Sequence, residues 1–185
     1  MAFIAVYDAS VLYPSTTRDL LIRIAQAGLV RAKWTTTILD EVFGSLTKNR
    51  PDLDPAKLAR TRDLMSGAIR DVHVVGHEPL IDVLDLPDPD DRHVLAAAIR
   101  ARAQLIVTHN LRDFPADALR RWDVEAIGPD AFVRAQVDLD RDLVYAAVTR
   151  IADAWRTPPG TPDDVLDRLD REGLTETAAV LRQSL

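Results

Sequence analysis

Residues 88–98 read DPDDRHVLAAA, which places Asp88, Asp90 and Asp91 directly before an Ala-rich stretch with the pattern of a buried helix. Carboxylates just before a helix accept its unpaired N–H groups and suit the positive end of its dipole. That use accounts for one acid or two, and three invite a search for others that could share a cation with them. Asp8 directly follows the apolar run Phe3 to Tyr7, and Asp113 lies in the loop HNLRDFP after the apolar run LIVT. Carboxylates a few ångströms apart repel by about 4 kcal/mol per pair at an effective dielectric of about 20, so a cluster of them is costly without a positive ion. The 185 residues include four histidines and no cysteine, which excludes disulfides, thiolate zinc sites and cysteine nucleophiles. Oxygen ligands favour a hard ion, Mg2+ or Mn2+, over zinc. Such an ion activates water and stabilises the leaving oxygen in the hydrolysis of phosphate esters.

The elements that must position these acids follow from periodicity and punctuation. Phe3 to Tyr7 reads as a buried strand; Thr16, with Asp19 three residues on as a variant capping box, opens a helix that Gly28 closes. A strand near Val30 to Trp34 precedes a helix from Thr37 to Leu46, and Asp54 before Pro55 starts a helix through Ile69. Val72 to Val75, Leu105 to Thr108 and Val124 to Ile127 read as strands, and Asp91 to Ala103, Pro115 to Arg121 and Pro129 to Gln136 as helices. This alternation argues for a parallel sheet covered on both faces, a three-layer α/β/α sandwich. Beyond Val137 only helices are expected: Asp140 to Trp155, then the breaker TPPGTP, then Asp163 to Glu172 and Glu176 to Gln183. The chain therefore divides into residues 1–136 and a helical C-terminal extension, 137–185.

In open parallel sheets ligands sit beyond the carboxyl ends of the strands. Asp8 and Asp113 fall there, whereas Asp91, at the start of the helix that feeds the LIVT strand, is expected at the opposite edge unless that helix start bends over the top. In ILDEVF, Asp40 and Glu41 each lie roughly 130° from the centre of the apolar stripe, on opposite flanks, so periodicity leaves both open.

Composition bounds the function further. The net charge of −6 counts against a protein that grips nucleic acid by bulk electrostatics, although all but three of the 23 basic residues are arginine, the residue suited to bidentate phosphate contacts. No stretch of 18 apolar residues occurs and the start MAFIAVYDAS lacks a basic leader, so a cytoplasmic protein is expected. Dinucleotide and phosphate-loop glycine motifs are missing. A phosphatase of the haloacid-dehalogenase type needs a second Asp two residues after the first, where this chain has Ser10.

Taken in order, VYDASVLYP, ILDEVFGSL, DLPDPDDRHVLAAAI and LIVTHNLRDFP resemble the motifs of PIN-domain ribonucleases, especially the VapC-type toxins of bacterial toxin–antitoxin pairs, over about residues 3–132. The resemblance implies a PIN-like sandwich acting as a metal-dependent endoribonuclease with Mg2+ or Mn2+. The family's acids fall on Asp8, Glu41 rather than Asp40, Asp91 and Asp113, with Asp8 and Asp91 the first choices for direct ligands. Ser10 and Thr108 match positions that orient ligands rather than bind metal. Asn110 is a departure, standing where many relatives carry an acid, and it bears on a second ion and on the use of Asp113. The implied partners are RNA, a cognate antitoxin that blocks the site, and a second copy of the chain meeting apolar helix faces within residues 16–70. The rival reading is a non-catalytic PIN-like module that binds RNA or protein, favoured by Asn110 and the acidic net charge. His93 and His109, though near the acids, read as surface or packing residues, and His73 and His77 in VHVVGH as parts of a strand and turn.

Overall fold

Four short parallel strands organise residues 2–183, the part of the chain described by the computed structural model. They are β1 (Ile4–Tyr7), β2 (Arg31–Lys33), β3 (Leu105–Val107) and β4 (Glu125–Ile127), in the order β2-β1-β3-β4. β1 pairs Val6 with Lys33 on one side and with Ile106 on the other. Ala5, Val6 and Tyr7 are all fully buried rather than alternating in exposure, the mark of a strand covered on both faces. The connections run first to one side of β1 and then to the other, so a topological switch point opens at the carboxyl ends of β1 and β3.

The remaining elements of the first two thirds are α1 (Ala9–Leu12), α2 (Ser15–Gln26), α3 (Thr36–Asn49), α4 (Pro55–Ala68), α5 (Glu78–Ile81), α6 (Arg92–Ala101) and α7 (Ala116–Leu119), with 3-10 turns at Pro89–Asp91, Leu111–Asp113 and Arg120–Trp122. Local chemistry explains most starts. Thr35 accepts the Ile38 N–H at the head of α3, and Asp54 accepts that of Ala56 ahead of α4, whose first residue is proline. The short α1 and α5 were not expected. α1 forms because the Asp8 side chain accepts the Ala9 N–H at 2.8 Å.

Two expectations need correction. Val72 to Val75 is not a full strand but a single bridge, His73 against Trp34, held by hydrogen bonds from Trp34 N–H to the Val72 carbonyl and from Val74 N–H to the Trp34 carbonyl. Left-handed backbone at Asp71 (φ 55°) and Gly76 (φ 74°) turns the chain away on either side. The Thr16/Asp19 capping box is also not made. Asp19 pairs with Arg23 at 2.7 Å, and the α2 amides find their acceptor on Glu172, which takes Thr17 N–H and Thr17 Oγ1–H at 2.7 Å each and Thr16 N–H at 3.3 Å.

The C-terminal helices are α8 (Pro129–Leu139), α9 (Arg141–Ala154), α10 (Pro162–Arg171) and α11 (Thr175–Arg182). α10 opens on a reciprocal Thr161–Asp164 capping box. α8 sends Phe132, fully buried, edge-on against Phe3 at 6.1 Å and Tyr7 at 5.9 Å between ring centroids. On its other side α8 packs against α9 and α11, and its Asp130 carboxylate accepts the Glu176 and Thr177 N–H groups and the Thr177 hydroxyl at the head of α11. α9 and α10 pack in turn on α2. One hydrophobic cluster thus runs from β1 to Leu181. Among the described residues no helix is long and apolar enough to cross a membrane.

Candidate active site

At the switch point Asp8 leaves β1 with only 3% of its surface exposed. Its Oδ2 accepts the hydroxyls of Ser10 at 2.9 Å and Thr108 at 2.7 Å, while Oδ1 accepts the Ala9 N–H. The same hydroxyl oxygens receive backbone donors from the loop after β3: Ser10 Oγ takes the His109 N–H and Thr108 Oγ1 the Asn110 N–H, each at 3.0 Å. These small polar residues therefore tie the two strand ends together and fix the Asp8 carboxylate between them.

Glu41 and Asp40, indistinguishable by periodicity, go different ways. Asp40 turns to Arg62 of α4 at 2.6 Å, and Glu41 faces a cavity of about 470 Å3 that Asp8, Ser10, Tyr13, Asp91 and Asn110 also line. Asp91 lies on the same side, which corrects the expectation of the opposite edge. A helix joining parallel strands runs back against them, so α6 begins at the strand carboxyl ends and ends where β3 begins. The 3-10 turn Pro89–Asp91, capped by the Asp88 side chain on the Asp90 N–H at 2.9 Å, completes the placement. Asp113 ends the turn Leu111–Asp113, outside the cavity lining but near enough for its charge to act on Asp91.

Burial, together with the charges of Asp8, Asp88, Asp113 and Glu41, pushes the Asp91 carboxyl up to about 6. A folded-state pKa above the unfolded value of 3.8 means that the folded chain holds this proton more tightly. Its contribution to stability is greatest below the unfolded value, declines as pH rises toward about 6 and stays unfavourable above it. Thermal unfolding in chelator should show the result: Tm falls between pH 5 and 7.5 in the wild type, and Asp91→Asn flattens that dependence and raises Tm at pH 7.5. An Asp91→Asn variant with the wild-type slope would contradict this.

The sequence undervalued His93. From the first turn of α6 its Nε2 meets Glu41 Oε1 at 2.7 Å. Burial opposes the charged imidazole, but the Glu41 hydrogen bond and the charges of Glu41, Asp8 and Asp91 outweigh it and raise the His93 pKa. Its position two residues after Asp91 was the available signal, and only the approach of α3 gives it meaning. His109 moves the other way, lowered by burial against the pull of Asp8. Two larger concavities, of about 840 Å3 beside α2 and α4 and about 800 Å3 beside β4, gather no comparable cluster of carboxylates.

Among the described residues no group of three or more acidic or imidazole side chains is already disposed to hold a metal ion. The donor set nonetheless fits a hard divalent ion. It consists of carboxylate oxygens around one cavity, and their mutual repulsion, which adds to burial in raising the Asp91 pKa, is what a cation relieves.

The family model described as PIN domain matches residues 5–112, more than half of the chain. The chain belongs to the PIN-domain family. Its four-stranded parallel sheet, covered by helices, is that of a PIN-like α/β/α sandwich extended by C-terminal helices. Residues 129–183 match a second model, described as VapC50 C-terminal domain, which begins with α8. A Mycobacterium tuberculosis (strain ATCC 25618 / H37Rv) protein named "Putative ribonuclease VapC50" is 46% identical over 82 residues, 44% of this chain and 48% of that protein. The chain thus spans about half the length of this curated relative. No solved structure matches it.

Proposed function

We propose that this PIN-domain protein is a divalent-metal-dependent endoribonuclease, the toxin of a toxin–antitoxin pair, with Asp8, Glu41, Asp91 and Asp113 as its acidic residues. The observation that carries the reading is the meeting of Asp8, Glu41 and Asp91 around one cavity, with Asp113 near enough for its charge to act on Asp91. The relative's printed name and the VapC50 C-terminal match support it. When bound, Mg2+ or Mn2+ supplies an activated water and charge stabilisation for phosphodiester hydrolysis.

The chain's own residues divide the remaining work. A carboxylate has about four acceptor sites. Ser10 and Thr108 fill the two on Asp8 Oδ2, and Ala9 takes one on Oδ1, so Asp8 is held rigidly with one site to spare. Asp91 accepts no side-chain hydrogen bond among the described residues, and both its oxygens stay available at the cavity. Asn110, which lines the cavity, offers an amide that hydrogen-bonds water or substrate without adding charge. We further propose a nuclease unit of residues 1–136 and an extension of 137–185, with α8 crossing the junction, and a cytoplasmic protein that pairs with itself and with an antitoxin whose basic side chains reach the carboxylates.

The test is cleavage of end-labelled RNA by the full chain with Mg2+ or Mn2+, with excess chelator, and with the ion restored. The expected result is internal cleavage that chelator abolishes and Mn2+ recovers. Cleavage that survives chelation overturns the metal-dependent reading. A folded protein that retains RNA without ever cutting it favours the non-catalytic module.

A further inference from the structure

His93 and Glu41 come from different helices, α6 and α3, and differ in freedom. The imidazole is buried, whereas the Glu41 side chain is 42% exposed, so a fixed ring holds a chain that would otherwise sample several rotamers. An ionised carboxylate only accepts, so Nε2–H is the donor. Among the described residues His93 Nδ1 is buried without a partner, and the ring's one hydrogen bond is the bond to Glu41. That bond occupies Oε1. Oε2 has no partner among the described residues and is the oxygen left for the cavity that Glu41 lines.

We propose that His93 is a positioning residue that makes Glu41 present a single oxygen to the divalent ion of the carboxylate cluster, favouring Mg2+ and Mn2+ over Ca2+. The inference rests on the metal-dependent reading above and extends it to ion selection. Mg2+ demands near-octahedral geometry at short distances, which suits one oxygen per carboxylate, while the larger Ca2+ readily takes both. A hydrogen bond on Oε1 withdraws that oxygen from two-point binding. It also spares the ion the entropic cost of fixing a long side chain, as groups behind metal ligands commonly do.

The test is calorimetric titration of the chelator-treated full chain with MnCl2, MgCl2 and CaCl2, comparing wild type with His93→Leu, His93→Gln and His93→Asn, each checked for folding by circular dichroism. Gln carries an amide N–H at roughly the reach of Nε2, and Asn is too short. The expected result is Mn2+ affinity lowered about 10- to 100-fold in His93→Leu and His93→Asn, with a narrowed preference for Mg2+ over Ca2+, and largely restored in His93→Gln. If His93→Leu does not fold, the Gln and Asn variants decide. Wild-type affinity in His93→Leu or His93→Asn, or an equal loss in all three variants, overturns the proposal. Mn2+ binding that falls in Asp8→Asn but not in the His93 variants overturns it alone, whereas no Mn2+ binding by the wild type overturns the metal-dependent reading with it.

Discussion

Asp8→Asn is expected to lower Mn2+-dependent RNA cleavage by at least about a hundredfold while leaving the protein folded. Loss of a group that merely orients a metal ligand costs about 10- to 100-fold, and Asp8 is the most rigidly held carboxylate at the cavity. Asparagine keeps an oxygen for the Ala9 N–H, and its amide can meet the Ser10 and Thr108 oxygens once those hydroxyls rotate. The substitution also removes one of the like charges that raise the Asp91 pKa, so stability without metal should not fall appreciably. Single-turnover cleavage, calorimetric Mn2+ titration and thermal unfolding of the variant separate these effects. Cleavage within a few-fold of wild type would remove Asp8 from the chemistry.

Phe132→Ala should give the largest loss of stability, about 3–5 kcal/mol, against a total of about 5–15 kcal/mol for a domain. The ring is fully buried and makes edge-on contacts with Phe3 and Tyr7, which alanine cannot refill. The location matters as much as the size. α8 carries Phe132 into the sheet core and lies within the segment matched by the VapC50 C-terminal model, so both parts of the chain lose their common support. Urea unfolding followed by circular dichroism and by tryptophan fluorescence should move to lower denaturant with both signals still coincident. Separate transitions would show that the two parts unfold independently, and a shift worth less than about 1 kcal/mol would mean that the cavity closes by repacking.

The legibility of these features in the sequence depended on how local their causes are. The strand ending at Asp8, the Asp54–Pro55 start of α4 and the change to helices after Val137 rest on neighbouring residues, and periodicity and capping rules read them to within a few positions. Asp91 was misplaced for want of one geometric fact, that helices between parallel strands begin at the carboxyl edge. Asp40 and Glu41 are equivalent by helical angle, and the presence of Arg62 on α4, 22 residues on, separates them. His93 carries only the faint signal of its place two residues after Asp91, because its significance lies in contact with a residue 52 positions away. The acceptor for the α2 amides could not be read at all, since Glu172 stands 155 residues from Thr17.

That last contact has a consequence for biosynthesis. A nascent chain exposes its amino-terminal segment long before residue 172 leaves the ribosome tunnel, so the amides of Thr16 and Thr17 must wait for an acceptor synthesised far behind them. The start of α2, which follows Tyr13 at the rim of the acidic cavity, gains this support only after residue 172 has been made. Maturation of that rim is therefore timed by the order of synthesis, and the polypeptide emerging from a ribosome lacks one of its supports while it is still surrounded by RNA.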